Sequence, residues 1–373
     1  MTSTRTHKAV VTVAARAPLE LATYPTVDPG AGELLIRVEW TAATPLHLHQ
    51  ADGGLLIQHP AILGSTMVGV VVQVGPEDKS SQGNVSFEVG DRVFGFCPPL
   101  FGEKARAFQE YATVPSWCFG KVPRDTSAQE AATLPENFVT VFNTLSKDLN
   151  LDTPWPKPEN YRPTHADTPI LIWGAASSVG QYALQILKFY GYKRLIVTAS
   201  AQHHAHLQEL GASACFDYRS PSVVQDLLKH VTAADKNKEA APVYPLIIDC
   251  IGSQAGSLSP LSRIPQSGSI VAVMLPVILK RATEDQAPEY SMDVEASAKW
   301  ADGVVTRGVR THFFAENYLQ REVMPTMLAQ RNVVPNRFRV VEGATMLERA
   351  NNAIRELRRG VSGEKLIWRV SDE

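Results

Sequence analysis

An apolar run that ends in a cluster of small residues and passes straight into a helix is what most limits the folds open to this chain. Pro169-Ile-Leu-Ile-Trp173 is followed by Gly174-Ala-Ala-Ser-Ser-Val-Gly180, and a helical pattern runs from Ser178 to Tyr190. Strand, glycine turn and helix in that order open a βαβ unit. The alternation continues with a strand over 194–198, a helix over 203–210, and strands over 244–249 and 269–274. Strands alternating with helices predict an α/β domain built on a doubly wound parallel sheet.

The first 125 or so residues follow another rule. Short β runs broken by glycine and proline appear at Ala9-Val-Val-Thr-Val13, 33–39, 68–74, 91–94 and 111–114, with a polar loop over 76–87. Closely spaced strands of this kind predict a compact, barrel-like β domain. The change comes at Ser127-Ala-Gln-Glu130, whose spacing is that of a capping box opening a helix. A proline-rich loop over 151–168 precedes the alternating region. The tail reads as a helix over 344–359 and a strand, Lys365-Leu-Ile-Trp-Arg-Val370, able to rejoin the β domain. The organisation expected is therefore a discontinuous β domain, 1–126 with 305–373, and an inserted sheet domain over 127–304.

Bulk properties exclude several classes of function. The 36 basic and 38 acidic residues nearly cancel, leaving a formal charge of -2. No basic stripe recommends nucleic acid, and no apolar run is long enough for a bilayer. The polar start, Met1 to Lys8, lacks the apolar stretch of a signal peptide. Cys97, Cys118, Cys215 and Cys250 are scattered without CxxC spacing. A reducing, cytoplasmic setting fits them better than a disulfide framework.

The glycine turn carries the first chemical expectation. A phosphate at a helix start is met by free N–H groups and the positive end of the helix dipole, and small residues let it approach. Gly174, Ser177, Ser178, Val179 and Gly180 are placed for this, with Gly180 allowing close packing of helix on strand. A tight βα turn with no ligand is the other reading. Sheets that bind NAD usually carry an acid at the end of the second strand, about 20 residues on, for the ribose hydroxyls. Here that strand ends Thr198-Ala-Ser-Ala-Gln-His-His204, so Ser200 stands in for the acid and His203 follows. A carboxylate repels a 2′-phosphate, whereas a hydroxyl and an imidazole can hydrogen-bond it. Tyr218 and Arg219, beyond the third strand, can flank the same group. The residues point to NADPH, although His203 and His204 also suit a solvated first turn of helix.

Six motifs together resemble a known family. Gly64-Ser-Thr-Met-Val-Gly-Val70, Phe87-Glu-Val-Gly-Asp-Arg-Val93, Gln129-Glu-Ala-Ala-Thr-Leu-Pro135 and Gly174 to Gly180 follow in its order. So do Leu210-Gly-Ala212 with Phe216-Asp-Tyr218, and Val361-Ser-Gly-Glu-Lys-Leu366. The set resembles the medium-chain dehydrogenase/reductase superfamily in its zinc-free, quinone-oxidoreductase-like branch. It is most similar to the fungal trans-acting enoyl reductases of the lovastatin type, which serve polyketide synthases. The resemblance implies a Rossmann sheet domain beside a GroES-like β-barrel catalytic domain. Zinc-dependent members carry Gly-His-Glu where this chain reads Gly64-Ser65-Thr66, and both the early ligand cysteine and the four-cysteine lobe are missing. No metal is expected, despite His47, His49 and His59 lying close together in sequence.

Without zinc, hydrogen bonds must polarise the substrate carbonyl and a side chain must supply the proton. The resemblance places Thr44-Pro-Leu-His-Leu-His49 against the nicotinamide, with His47 where the family usually has Asp and His49 near its Lys or Tyr. His49 is then the first candidate proton donor, with a surface-loop histidine as the alternative. Thr140 matches a hydroxyl residue that contacts substrate or nicotinamide, although a helical threonine can also bond its own backbone. Ile251 (with Cys250 and Gly252) is expected near the adenosine, Leu275 and Pro276 at the nicotinamide, and Val361 and Ser362 in a segment closing over the cofactor. Lys365 can equally be a solvated strand lysine.

Three functions follow from this. The first is NADPH-dependent reduction of an α,β-unsaturated thioester, free or carrier-bound, in partnership with a polyketide synthase. The second is reduction of quinones or free enones. The third is an NADPH-binding scaffold with little redox turnover. The chain is expected to act as a monomer or homodimer.

Overall fold

The long strand Glu33–Ala43 organises the amino-terminal part of the molecule, because its residues are buried on both faces over much of its length. In the computed structural model, which describes residues 5–77, 85–234, 242–314 and 318–371, this strand lies inside a seven-stranded sheet. The order runs Phe338–Val340, Lys365–Arg369, Glu33–Ala43, Thr66–Val74, Arg92–Phe96, Phe119–Lys121, with Tyr111–Pro115 paired to Glu33–Ala43 as well. Register shifts between Leu35 and Ile36 and between Val38 and Trp40 bend the long strand, as bulges do at the corners of barrels. A smaller sheet, Glu20–Pro25, Thr6–Thr12, Ala61–Ile62, lies beside it in sequence order 2-1-4. Part of the loop expected over 76–87 falls outside the described residues.

Two compact units divide the chain. The first holds 1–139, 282–288 and 312–373, and the second holds 140–281 and 289–311. These bounds differ from a division at 126/127 and 304/305 for two physical reasons. The helix Ala128–Ala132, opened by the Ser127/Glu130 box (Glu130 N–H to Ser127 Oγ 3.1 Å, Ser127 N–H to Glu130 Oε2 2.9 Å), packs on Glu33–Ala43 and Thr66–Val74 of the first unit. The strand Val305–Val309 pairs in parallel with Ile270–Met274 and so completes the sheet of the second. The short 282–288 segment joins the first unit, where Arg16 donates to the carbonyls of Thr283, Glu284 and Gln286.

The second unit is built on a six-stranded sheet with every strand parallel. Its order is Ala214–Phe216, Leu195–Thr198, Ile170–Trp173, Leu246–Asp249, Ile270–Met274, Val305–Val309. Numbered from the first strand, this is 3-2-1-4-5-6, the order of dinucleotide-binding doubly wound sheets. Ile170–Trp173, Leu195–Thr198 and Leu246–Asp249 are buried at every residue, as parallel strands covered on both faces must be. Leu171, Trp173, Ile247, Val271 and Val273 meet Leu227, Val231, Leu258 and Leu261 in one apolar cluster. The strand order reverses between Ile170–Trp173 and Leu246–Asp249, and ligands of such sheets bind in the crevice at that switch point. Among the described residues no helix is long and apolar enough to cross a membrane.

Candidate active site

The turn after the first strand of the parallel sheet is shaped by packing. Gly174 has φ of 77°, and a Cβ there would stand 2.4 Å from Ile251 Cγ1. Its N–H donates to the carbonyl and to the hydroxyl of Thr198, tying the first strand to the second. Ser177 caps the helix Ser178–Tyr190, its Oγ accepting from Gly180 N–H at 3.2 Å. Gly180 lies so near the strand that a Cβ would meet the Ala175 Cα at 2.6 Å. The first turn of this helix, Ser178 and Val179, therefore sits at the switch point with no bulky side chain before it, which fits a pyrophosphate. Gly191 ends the helix with φ of 97°, the usual left-handed stop.

Asp249 builds the facing turn. Its buried carboxylate accepts from Ile251 N–H (3.0 Å), Gly252 N–H (3.2 Å) and Ser257 Oγ (2.6 Å). Burial raises its pKa to about 6 against the pull of those three donors. The turn leaves Ile251 40% exposed above Gly174. Cys250 is buried beside it, and burial pushes its thiol well up.

At the end of the second strand Ser200 is buried and begins a single 3-10 turn, its carbonyl accepting from His203 N–H. His204 bonds the Ala199 carbonyl through Nε2 at 3.1 Å, a local backbone contact. The loop after the third strand comes to the same place, since Asp217 accepts from the N–H groups of both Arg219 and Ala201. Those two bonds hold the Asp217 carboxyl below its usual range. Tyr218 is exposed with the Arg219 guanidinium 5.4 Å from its ring centre. Ser200, His203, Tyr218 and Arg219 are thus brought together from two loops.

Further along the sheet, Leu275 covers Gly308, where a Cβ would lie 2.6 Å from Leu275 Cδ1. Thr140, in the helix Pro135–Asn143, accepts a hydrogen bond from the Thr311 hydroxyl at 3.0 Å. Its carbonyl accepts from Thr144 Oγ1.

In the first unit, Pro45 at the first helical position and Gly54 at φ of 63° bound the helix Pro45–Gly53. It carries both histidines inward, with His47 1% and His49 8% exposed. His47 Nδ1 accepts from Thr44 N–H at 3.2 Å, which places the proton on Nε2. That nitrogen is buried with no partner among the described residues, as is Trp368 Nε1. Phe108 stands edge-on to His47, ring centres 5.1 Å apart. Burial, then the charges of Lys365 and Arg106, press the His47 pKa down to about 3. Burial presses His49 to about 4, against the pull of Asp52. Both imidazoles are neutral at neutral pH, so His49 offers a hydrogen bond there and holds no titratable proton in reserve. Asp52, whose side chain is fully buried, is held by both arms of Arg358 at 2.6 and 2.7 Å. His59 shares its Nδ1 with Thr12 Oγ1 at 3.3 Å. Among the described residues no three His, Cys, Asp or Glu are grouped to hold a metal ion.

Sequence reasoning missed a second polar cluster. Ser65 Oγ donates to Glu136 Oε2 at 3.0 Å, and Lys365 Nζ donates to Asn137 Oδ1 at 2.6 Å. Lys365 is 5% exposed, which settles the alternative of a solvated strand lysine against it. The available signal was its place directly before the apolar run Leu366-Ile-Trp368. Val361 packs on the apolar core of this unit, and Ser362 is exposed two residues after Gly360, which ends the helix Met346–Arg359.

Comparison with known proteins agrees with this architecture. Residues 30–141 match the alcohol dehydrogenase GroES-like domain. Over 349 residues, the chain is 30% identical to the trans-enoyl reductase himH of Aspergillus japonicus, covering 91% of this chain and 90% of that protein. The quinone oxidoreductase of Coxiella burnetii shares the fold, with a TM-score of 0.68 and 20% identity over 98% of this chain and all of that one. A mycobacterial protein solved in complex with NADPH does so too, with a TM-score of 0.64 and 20% identity over 97% and 99% of the two chains. The chain belongs to the medium-chain dehydrogenase/reductase superfamily, among the fungal trans-enoyl reductases, and is an oxidoreductase of the kind that works with a nicotinamide cofactor.

Proposed function

We propose that this protein is an NADPH-dependent enoyl reductase that acts in trans on the α,β-unsaturated thioester of a polyketide intermediate, carried by a polyketide synthase. The observation that carries the cofactor reading is the second strand end. A buried hydroxyl, Ser200, stands there instead of a carboxylate, with His203, Tyr218 and Arg219 gathered around it. The nearest acid, Asp217, is turned onto the amides of residues 201 and 219. A 2′-phosphate finds donors and a cation there, and no carboxylate stands at position 200 itself. The NADPH held by the mycobacterial neighbour is in keeping with this reading.

When bound, the cofactor supplies the hydride, which goes to the β-carbon of the substrate. The chain's own groups do the rest. The Gly174–Gly180 turn and the capped helix hold the pyrophosphate, with Ser177, Ser178 and Val179 at its first turn. Ile251 covers the adenosine side, and Leu275 faces the nicotinamide. His47 lines the nicotinamide, and Val361 with Ser362 forms the segment that closes over the cofactor. The Thr140 hydroxyl, oriented by Thr311, and the neutral His49 imidazole are the groups we assign to the enolate oxygen, and a proton drawn from solvent water then reaches the α-carbon. These groups act by position and by stabilising developing charge.

The test is loss of NADPH absorbance with short α,β-unsaturated thioesters, beside NADH and a quinone. Selective NADPH oxidation on thioesters is the expected result, and Ser200→Asp should shift preference toward NADH. Turnover with quinones alone, or tight NADPH binding with no turnover, would refute the proposal.

A further inference from the structure

A lysine in a strand core is an expensive choice. Removing an ammonium from water costs several kcal/mol unless charge and hydrogen bonds replace the solvent, yet Lys365 is 5% exposed at the head of the strand Lys365–Arg369. The backbone fixes it there. Leu366 pairs with Ala43 and Lys365 with Phe338, so Lys365 lies between two neighbouring strands and its side chain points away from the face that Leu366 and Trp368 share.

Everything that answers this charge comes from one place. Nζ donates to Asn137 Oδ1 at 2.6 Å, and the Glu136 carboxylate pulls its pKa up against burial. Glu136 is in turn anchored by Ser65 Oγ at 3.0 Å, and Ser65 is held through its carbonyl by Cys97 N–H at 2.8 Å. Glu136 and Asn137 are the second and third residues of the helix Pro135–Asn143, and Thr140 lies one turn further along it. The charged group acting on Lys365 is thus Glu136, which attracts it, while Lys365 and Arg106 both act on His47.

We propose that Lys365 is a positioning residue for the reduction: by gripping Asn137 and Glu136 it fixes the first turn of the helix that carries Thr140. This rests on the assignment of Thr140 to the substrate oxygen. Asn137 is oriented by the same bond, because a lysine can only donate and the amide must therefore turn its oxygen inward. A hydrophobic residue at 365 would fill the space and leave Glu136 without its counter-charge, so the helix start would lose its fixed point.

The experiment compares Lys365→Met, Lys365→Arg and Asn137→Ala with the native chain. It measures NADPH affinity by fluorescence, kcat and KM for an enoyl thioester across pH, and hydrogen exchange of the peptide covering residues 135–143. Burial sets the Lys365 pKa at about 8, so native activity should fall as pH rises through that value, when the ammonium is lost. Lys365→Met should lower kcat by about 10- to 100-fold, the cost of a misplaced group, with NADPH affinity little changed. It should also lose the alkaline fall and exchange faster in the 135–143 peptide. Lys365→Arg should recover part of kcat, and Asn137→Ala should repeat the kcat loss if Lys365→Met fails to fold. Native kcat in Lys365→Met, or an unaltered alkaline fall, overturns the proposal. If the native chain reduces no thioester, the enoyl-reductase reading falls by itself, and exchange then decides Lys365: unchanged protection of 135–143 in Lys365→Met overturns the positioning role.

Discussion

His47 should make this protein acid-labile by a calculable amount. Its folded-state pKa is about 3 against 6.5 for an exposed histidine, because the ring is buried beside the positive charges of Lys365 and Arg106. A base whose folded pKa is depressed binds protons more readily when unfolded, so stability is full above pH 6.5 and drains away as pH falls towards 3. Each unit in that window costs about 1.4 kcal/mol. Between pH 7.5 and 4.5 the unfolded His47 takes up its proton and pH falls two units below 6.5 while folded His47 stays neutral, a loss of about 3 kcal/mol. His47→Gln removes the titration while leaving an amide oxygen able to accept from Thr44 N–H. Urea unfolding of both proteins at the two pH values gives the comparison. Each protein is read against itself, so any fixed cost of the substitution cancels. The native chain should lose about 3 kcal/mol more than the variant on acidification. Equal losses would refute the neutral, desolvated state assigned to this imidazole.

Three other perturbations probe separate parts of the structure. Gly180→Ala puts a methyl 2.6 Å from the Ala175 Cα; it should cost about 1–3 kcal/mol by overpacking and weaken NADPH binding, checked by thermal melting with and without the cofactor. Arg358→Ala leaves the fully buried Asp52 carboxylate unpaired, and urea unfolding should show a loss of about 3–5 kcal/mol. Asp249→Ala frees the amides of Ile251 and Gly252 and the Ser257 hydroxyl; KM for NADPH should rise about tenfold, in line with 1–3 kcal/mol for orphaned donors, and an unchanged KM would mean the 250–252 turn keeps its shape without Asp249.

Much of this fold could be read before any coordinates, because the interactions that specify it are local. The Ser127/Glu130 box, the Ser177 cap three residues before Gly180, and the run Ser178–Tyr190 stopped by Gly191 are each decided within a few residues. The αβ alternation and the order of motifs pointed to a dinucleotide sheet, and the absence of an acid at residue 200 pointed to the 2′-phosphate. Other features depended on partners far along the chain. Val305–Val309 has the same look as an edge strand of either sheet, and only its pairing with Ile270–Met274 places it. Asp52 finds Arg358 306 positions away, Lys365 finds Asn137 228 away and Ser65 finds Glu136 71 away. The protonation states of His47 and His49 have the same origin. A side chain's sequence neighbours announce its propensity, whereas its desolvation and charge environment are set by whatever the tertiary fold packs against it. The sequence by itself therefore determined the sheet, the helix ends and the glycine turn, and tertiary structure alone decided which polar groups are buried, what pairs them, and in which protonation state they stand.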